Sequence, residues 1–294
     1  MRHPYQASPL FAPMSVAGAA AFDALLSAAI AEDVGDGDIT TQALVPETAS
    51  AVADVVVRST GILAGLAVAL RTFALFDNRI AYEVKVEDGS RIAAATAVAR
   101  LTGPARGILT AERVALNLLG RLSGIATITR SYVDEARGFP AKIADTRKTT
   151  PGLRALERYA VRAGGGVNHR FGLHDAILIK DNHLAEVGSV ADAVKRARAV
   201  ENSNAVIEVE CDTLAQVADA LAAGADAVLL DNMDDATIAK AVAAAAGRAI
   251  TEASGNVNLR TVRGIASTGV DVISVGALTH GAVSLDVGLD FVLR

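Results

Sequence analysis

The chain has 294 residues, 51% of them hydrophobic but only 4% aromatic, with no Trp, one Cys and a formal net charge of −5. That length supplies a full core and the Ala-, Val-, Leu- and Ile-rich texture suits helices packed on parallel strands, so extensive disorder is excluded. The acidic balance argues against a nonspecific nucleic-acid role, and a lone Cys211 excludes an intrachain disulfide or thiolate cluster, which fits a reducing cytoplasm.

The opening MRHPYQASPLFAPMSVAGAA lacks the continuous apolar core of a secretory signal, and no later run is long enough to span a bilayer, so no membrane role is expected. Residues 1–20 read as a loose arm. Next, FDALLSAAIAED has helical spacing and ends in GDGD, where Asp38 caps or braces the turn before ITTQALVP. The segments VADVVVRSTGILAG, RIAYEVKVEDGSRI and ATAVARLTGPARGIL alternate as antiparallel strands do, with one helix at 67–76. A long helix, TAERVALNLLGRLSGIATITRSYVDEA, joins this first module to a second.

After Phe139, short β-rich runs alternate with Ala-rich amphipathic helices, the form of successive βα units. The strands expected are KIAD, AILIKD, VIEVEC, AVLLDN, AITEAS and VISVG, with helices at 152–163, 190–200, 214–223, 235–246 and 258–267. Six strands rather than eight point to an incomplete α/β barrel, with a doubly wound open sheet as the alternative that periodicity leaves open.

In βα folds function gathers where strands end, and these strands end in Lys180, Glu210, Asp231, Glu252 followed by Ser254 and Gly255, and Gly276. Arg147, Lys148, His169, Arg170 and Lys180 concentrate around the triplet Gly164, Gly165, Gly166 and read as a pocket for an anionic substrate. Fixing cations against apolar runs costs desolvation that a partner anion offsets, and the Arg147 fork suits a carboxylate. Arg154, Arg158 and Arg162 share one helical face and read as solvated, while His169 is either a satisfied core histidine or a donor to substrate. The glycine triplet reads as a helix stop that swings His169 and Arg170 inward, and not as a P-loop.

Glu210 and Asp231, on successive strands, share a Mg²⁺ ion directly or through water, bind sugar hydroxyls, or neutralise Lys148 and Lys180 across the barrel mouth. The strand ends EASGN (Ser254, Gly255, Asn256) and SVGA (Val275, Gly276, Ala277) resemble backbone phosphate sites on the last two strands of a barrel. Cys211 reads as inert core, and His174 and His183 lack metal-ligand spacing.

The segments EDVGDGDITT, GILTAERVALNLLGRLSGIAT, DTRKTTPGLRALERYAVRAGGGVNHRFGLHDAILIKDNH, EVEC, LLDN, EASGN and GVDVISVGALTH, spanning residues 23–291, resemble the quinolinate phosphoribosyltransferase family. Only the arm at 1–20 falls outside the resemblance, which implies an N-terminal α/β sandwich at 21–125 completed by 280–294 and an open α/β barrel of six or seven strands at 126–279. It further implies a homodimer, Mg²⁺, and transfer of phosphoribosyl from phosphoribosyl pyrophosphate to quinolinate with loss of CO2. On that basis Arg147, His169, Arg170 and Lys180 meet the quinolinate carboxylates, Thr146 is a further substrate position, and Arg113 reaches in from the partner subunit. Lys148, Glu210 and Asp231 carry the catalytic role on the phosphoribosyl side, and residues 254–256 and 275–277 hold phosphate. Two rivals are a related protein of molybdate-transport systems and a non-catalytic phosphosugar-binding protein. The intact TRKTTPGLR, NHR and IKDNH segments favour the transferase.

Overall fold

Val52, Val55, Val56 and Val57 are stiff at χ1 and favour extended backbone, and SAVADVVV forms a central strand of an antiparallel sheet. The computed structural model describes residues 12–200 and 205–292. Among these the strands are, in chain order, β1 (Ser50–Val57), β2 (Gly61–Ile62), β3 (Ala81–Val84), β4 (Arg91–Ile92), β5 (Thr96–Pro104), β6 (Lys142–Ala144), β7 (Ile177–Ile179), β8 (Ile207–Cys211), β9 (Ala227–Asp231), β10 (Ile250–Ser254), β11 (Val272–Ser274) and β12 (Val287–Phe291). The described residues divide into two compact units: 12–128 with Thr150–Gly165 and 282–292, and a second built from Thr129–Thr149 and the described part of Gly166–Gly281.

In the first unit the sheet runs β12-β1-β5-β3, all antiparallel, with a register shift between Val55 and Val56. Ala53, Val55 and Val57 face one way and meet Leu66, Leu70 and Phe73 of the helix Leu66–Phe76 in a buried cluster. That helix begins at Gly65, held at φ +89 where a side chain would be strained. Asp88 accepts from the N–H groups of Gly65 (2.8 Å) and Leu66 (3.1 Å), satisfying donors that a helix start leaves open. Tyr159 donates its hydroxyl to the same carboxylate at 2.6 Å and accepts from the N–H of Met14 at 2.9 Å. Of the arm expected through Ala20, residues 1–11 lie outside the described residues, while Gly18–Phe22 forms a 3₁₀ helix with Ala19 buried. Asp38 caps a helix, Ile39–Leu44, through a 2.9 Å bond from the Thr41 N–H. The long helix runs Ala105–Glu135.

In the second unit six parallel strands lie in the order β6-β11-β10-β9-β8-β7. The sheet does not close: Val167 bridges to Ala144 beside β6, and the chain then crosses to β7 at the opposite edge. This is the open α/β barrel expected. The intervening helices Val190–Arg198, Leu214–Ala222, Asp235–Ala245 and Val262–Ser267 follow the expected order. Two short ones, Asp181–Val187 and Ala277–His280, carry too few turns for a periodic signal and were not anticipated. No helix among the described residues is long and apolar enough to cross a membrane.

The solvated face expected for Arg154, Arg158 and Arg162 is corrected. Arg158 is buried and the other two are half-buried, because the helix Arg154–Ala163 packs inside the first unit. Its Glu157 is fully buried and takes bonds from Arg121 (2.8 Å) and from the N–H and hydroxyl of Thr150.

Candidate active site

Successive strand side chains point to opposite faces, so Glu208 and Glu210 share a face of β8, Leu229 and Asp231 of β9, and Glu252 and Ser254 of β10. Earlier residues of the same parity, Ala227, Ile250 and Val272, join Ala144 in a dry apolar layer. Toward the strand C-termini the same faces turn polar and open into a cleft of about 890 Å³. Alternation therefore builds an apolar floor and a charged mouth from single strands.

The cations arrive on the loop that crosses the open side of the barrel. Gly165 takes φ +94 after the helix Arg154–Ala163, a backbone that ends the helix as the glycine triplet suggested. Buried Asp145, just after β6, then pins the chain: it accepts from Asn168 Nδ2 at 2.6 Å and from the His169 N–H at 2.7 Å. Arg170 is buried and donates to the Ala176 carbonyl at 3.1 Å. Burial, aided by the nearby Arg147 guanidinium, lowers its pKa from the ordinary arginine value, so an anion between the two arginines offsets an existing cost. Arg147 and Lys148 are themselves exposed, which confines the desolvation argument to Arg170 and His169.

His169 is fixed through both ring nitrogens. Nδ1 accepts from the Arg170 N–H at 2.8 Å, which assigns the neutral ring's proton to Nε2. Nε2 faces Glu208 at 3.1 Å and Glu252 at 3.3 Å. These three buried groups have the spacing of metal ligands, but a cation at Nε2 needs the lone pair that the proton occupies. Burial, only partly opposed by a hydrogen bond from Ser274, pushes the Glu252 carboxyl up to about 8, so it is mostly protonated at neutral pH. His169 is thus held within a buried cluster while also lining the cleft.

Glu210 forms an ion pair with Lys180, as the charge-neutralising reading expected, whereas Asp231 accepts instead from Asn232 Nδ2 at 2.7 Å. Lys148 is tied by its backbone to the short helix Ala277–His280 that follows β11, its carbonyl accepting from the Thr279 hydroxyl at 2.7 Å, and its N–H donates to Thr146 Oγ1 at 3.1 Å. At Gly276 a Cβ would sit 3.0 Å from Lys148 Cδ and 3.3 Å from His280 Nε2, so glycine admits both side chains to the cleft. The Val275 N–H donates to the Ala144 carbonyl at 2.9 Å, leaving Gly276 and Ala277 as the donors at that strand end. Cys211 is buried with its thiol pushed up to about 12 by burial, in keeping with an inert core residue.

One cleft therefore gathers Thr146, Arg147, Lys148, His169, Arg170, Lys180, Glu210, Asp231, Ser254, Gly255, Asn256, Val275, Gly276 and Ala277. Arg113 lies in the other unit, its side chain 63% exposed and 3.9 Å from Glu112. Sequence reasoning missed Asp145, Glu208, Asn232 and His280, and took Glu252 for a strand end although it is the middle residue of β10. The signal for Glu208 was present: in IEVEC it stands two residues from Glu210, hence on the same strand face.

Residues 38–123 match the family domain described as quinolinate phosphoribosyl transferase, N-terminal domain, and residues 125–290 its C-terminal domain. The chain is 46% identical over 269 residues to a probable nicotinate-nucleotide pyrophosphorylase (carboxylating) of Bacillus subtilis, covering 92% of this chain and 93% of that protein. It is 48% identical over 270 residues to the nicotinate-nucleotide pyrophosphorylase (carboxylating) of Mycobacterium leprae, covering 89% and 94%. Among solved structures, NadC from Streptococcus pyogenes superposes with a TM-score of 0.89 at 43% identity, covering 92% of this chain and 97% of that one.

Proposed function

The chain belongs to the quinolinate phosphoribosyltransferase family, and from that premise we propose how its cleft transfers phosphoribosyl from phosphoribosyl pyrophosphate to quinolinate, yielding nicotinate mononucleotide, pyrophosphate and CO2 for NAD biosynthesis. The observation that carries the reading is the charge layout of one cleft: cations on one flank, Glu210 and Asp231 on another, glycine-containing strand ends between. Quinolinate is a dianion, so Arg147, Arg170 and Lys180 hold its carboxylates, with Thr146 beside them and His169 backing Arg170. Phosphoribosyl pyrophosphate places its sugar phosphate on residues 254–256 and 275–277, with Lys148 near its diphosphate.

As the bond from the ribosyl C1 to pyrophosphate breaks, positive character grows on that carbon, and the Glu210 and Asp231 carboxylates stabilise it. The quinolinate ring nitrogen donates its electron pair to C1. The resulting pyridinium accepts the electron pair released when the adjacent carboxylate leaves as CO2, and a proton then takes its place on the ring carbon. No side-chain nucleophile is required. Glu210 and Asp231 each have one oxygen engaged, by Lys180 and Asn232, and their remaining hard donors suit Mg²⁺, which supplies charge neutralisation for the leaving diphosphate. We further propose a cytoplasmic homodimer in which Arg113 of one copy completes the quinolinate site of the other.

The test is to incubate purified protein with Mg²⁺, phosphoribosyl pyrophosphate and either quinolinate or nicotinate. Quinolinate should give nicotinate mononucleotide and stoichiometric CO2, and nicotinate should be turned over at least about 100-fold less efficiently, because a monoacid supplies only one of the two carboxylates that the cations of the clamp are placed to meet. Comparable turnover of nicotinate would overturn the dicarboxylate clamp.

A further inference from the structure

Where β9 ends, a chain of side-chain amides ties the acidic flank of the cleft to the glycine-containing loop that follows β10. Asp231 Oδ2 accepts from Asn232 Nδ2 at 2.7 Å, and Asn232 Oδ1 accepts from Asn256 Nδ2 at 3.0 Å. The Asn232 N–H also donates to the Ser254 carbonyl at 2.9 Å, in line with the pairing of Ser254 and Asp231 across the two strands. On the far side Asn258 Nδ2 holds the Asn256 carbonyl at 3.2 Å.

Backbone geometry shows that these amides are there for their side chains. Asn232 has φ +53 and Asn256 φ +52, a left-handed conformation that glycine adopts without strain. Asparagine tolerates it better than most residues but gains nothing from it over glycine. Gly255, between the two bridging positions at φ +86, is in turn obligatory, because a Cβ there would overlap the Asn232 side chain and backbone. The bridge needs one planar group with a donor end for a carboxylate and an acceptor end for an amide. Aspartate would set a second negative charge against Asp231, and glutamine would push the amide out by a methylene.

We propose that Asn232 is a positioning residue for phosphoribosyl transfer, locking the Asp231 carboxylate to the loop 254–256 so that seating a phosphate on that loop and presenting Asp231 to the ribose are one event. The proposal rests on the placement of the sugar phosphate and ribose argued above. Those two groups belong to one substrate molecule, so a rigid link between the elements that hold them removes a degree of freedom before reaction.

Asn232→Gly and Asn256→Gly keep the left-handed backbone and delete only the amides, so they separate the bridge from the turn. Each should lower kcat/KM for phosphoribosyl pyrophosphate about tenfold with Tm unchanged within about 3 °C, and the double variant should lose no more than either single one. Asn232→Asp should be worse than Asn232→Gly. Wild-type kinetics in Asn232→Gly, or losses that multiply to about a hundredfold in the double variant, would overturn the proposal in favour of a plain turn residue or two independent contacts. Calorimetric titration of the same four proteins with phosphoribosyl pyrophosphate keeps the outcomes distinct. If the wild type binds it but makes no nicotinate mononucleotide, the substrate reading fails, while additivity of the binding losses still decides the bridge.

Discussion

A carboxyl shut away from water keeps its proton when burial outweighs the hydrogen bonds offered to it, and Glu252, near Ser274 and His169 at the base of the cleft, is in that position. Its ordinary value of 4.5 rises to about 8. Between those two pH values the folded chain holds a proton that the unfolded chain has released. This group's contribution to stability is therefore fully present below 4.5 and is lost as pH rises through 8, at about 1.4 kcal/mol per pH unit. Glu252→Gln replaces a neutral acid by a neutral amide and removes the titration. Urea midpoints at pH 5 and pH 8 should show a steeper decline for the wild type than for the variant, and parallel declines would mean that the carboxyl is ionised throughout. Such residues are where the sequence was least legible. Glu252 and Asp145 look like ordinary strand-end or cap acids, and only the inward face of β10 and the loop after β6 make them buried and costly. The exposed cations Arg147 and Lys148 were found because they stand in a basic cluster, even though the desolvation argument used for them applies to Arg170 and His169.

At the scale of elements, strand alternation carried the reading well. Every βα strand expected after Phe139 is present, and the missing closure followed from counting six of them. Tertiary packing overrode local pattern on the helix Arg154–Ala163, whose charged face is buried rather than solvated. The long helix Ala105–Glu135 gives a second case that patterning does not reveal: Gly120 and Gly124 lie one turn apart against the segment leading into β12. The Gly120 carbonyl accepts from the Leu285 N–H at 2.9 Å, and a Cβ on Gly124 would overlap the Val283 carbonyl oxygen. Gly124→Ala gains about 1 kcal/mol of helix propensity, but the overlap is with backbone that cannot rotate aside, a cost of about 1–3 kcal/mol or more. The overlap should win, lowering the urea midpoint and loosening the β12 segment toward proteolysis. A variant as stable as the wild type would show that this helix and segment have room to separate.

At the scale of the whole molecule, the cleft's own cations are few for the charge proposed to enter it. Lys180 is shared with Glu210, so Arg147, Lys148, Arg170 and a partly neutralised Lys180 meet a dianion and a diphosphate. Arg113 stands in the part of the long helix that belongs to the first unit, 63% exposed and only loosely paired with Glu112. An exposed arginine of that kind is available to a second copy, in line with the trans position that the family resemblance implies and that we propose. Arg113→Ala and Lys148→Ala should each be inactive as homodimers. Mixed under conditions where subunits exchange, they should recover up to about a quarter of wild-type activity: half of the dimers are mixed at equal amounts, and each has one site with both residues intact. Labelled subunits would establish exchange independently. Exchange without recovered activity would place Arg113 in its own chain's site or outside catalysis, and the shared-site arrangement would fall.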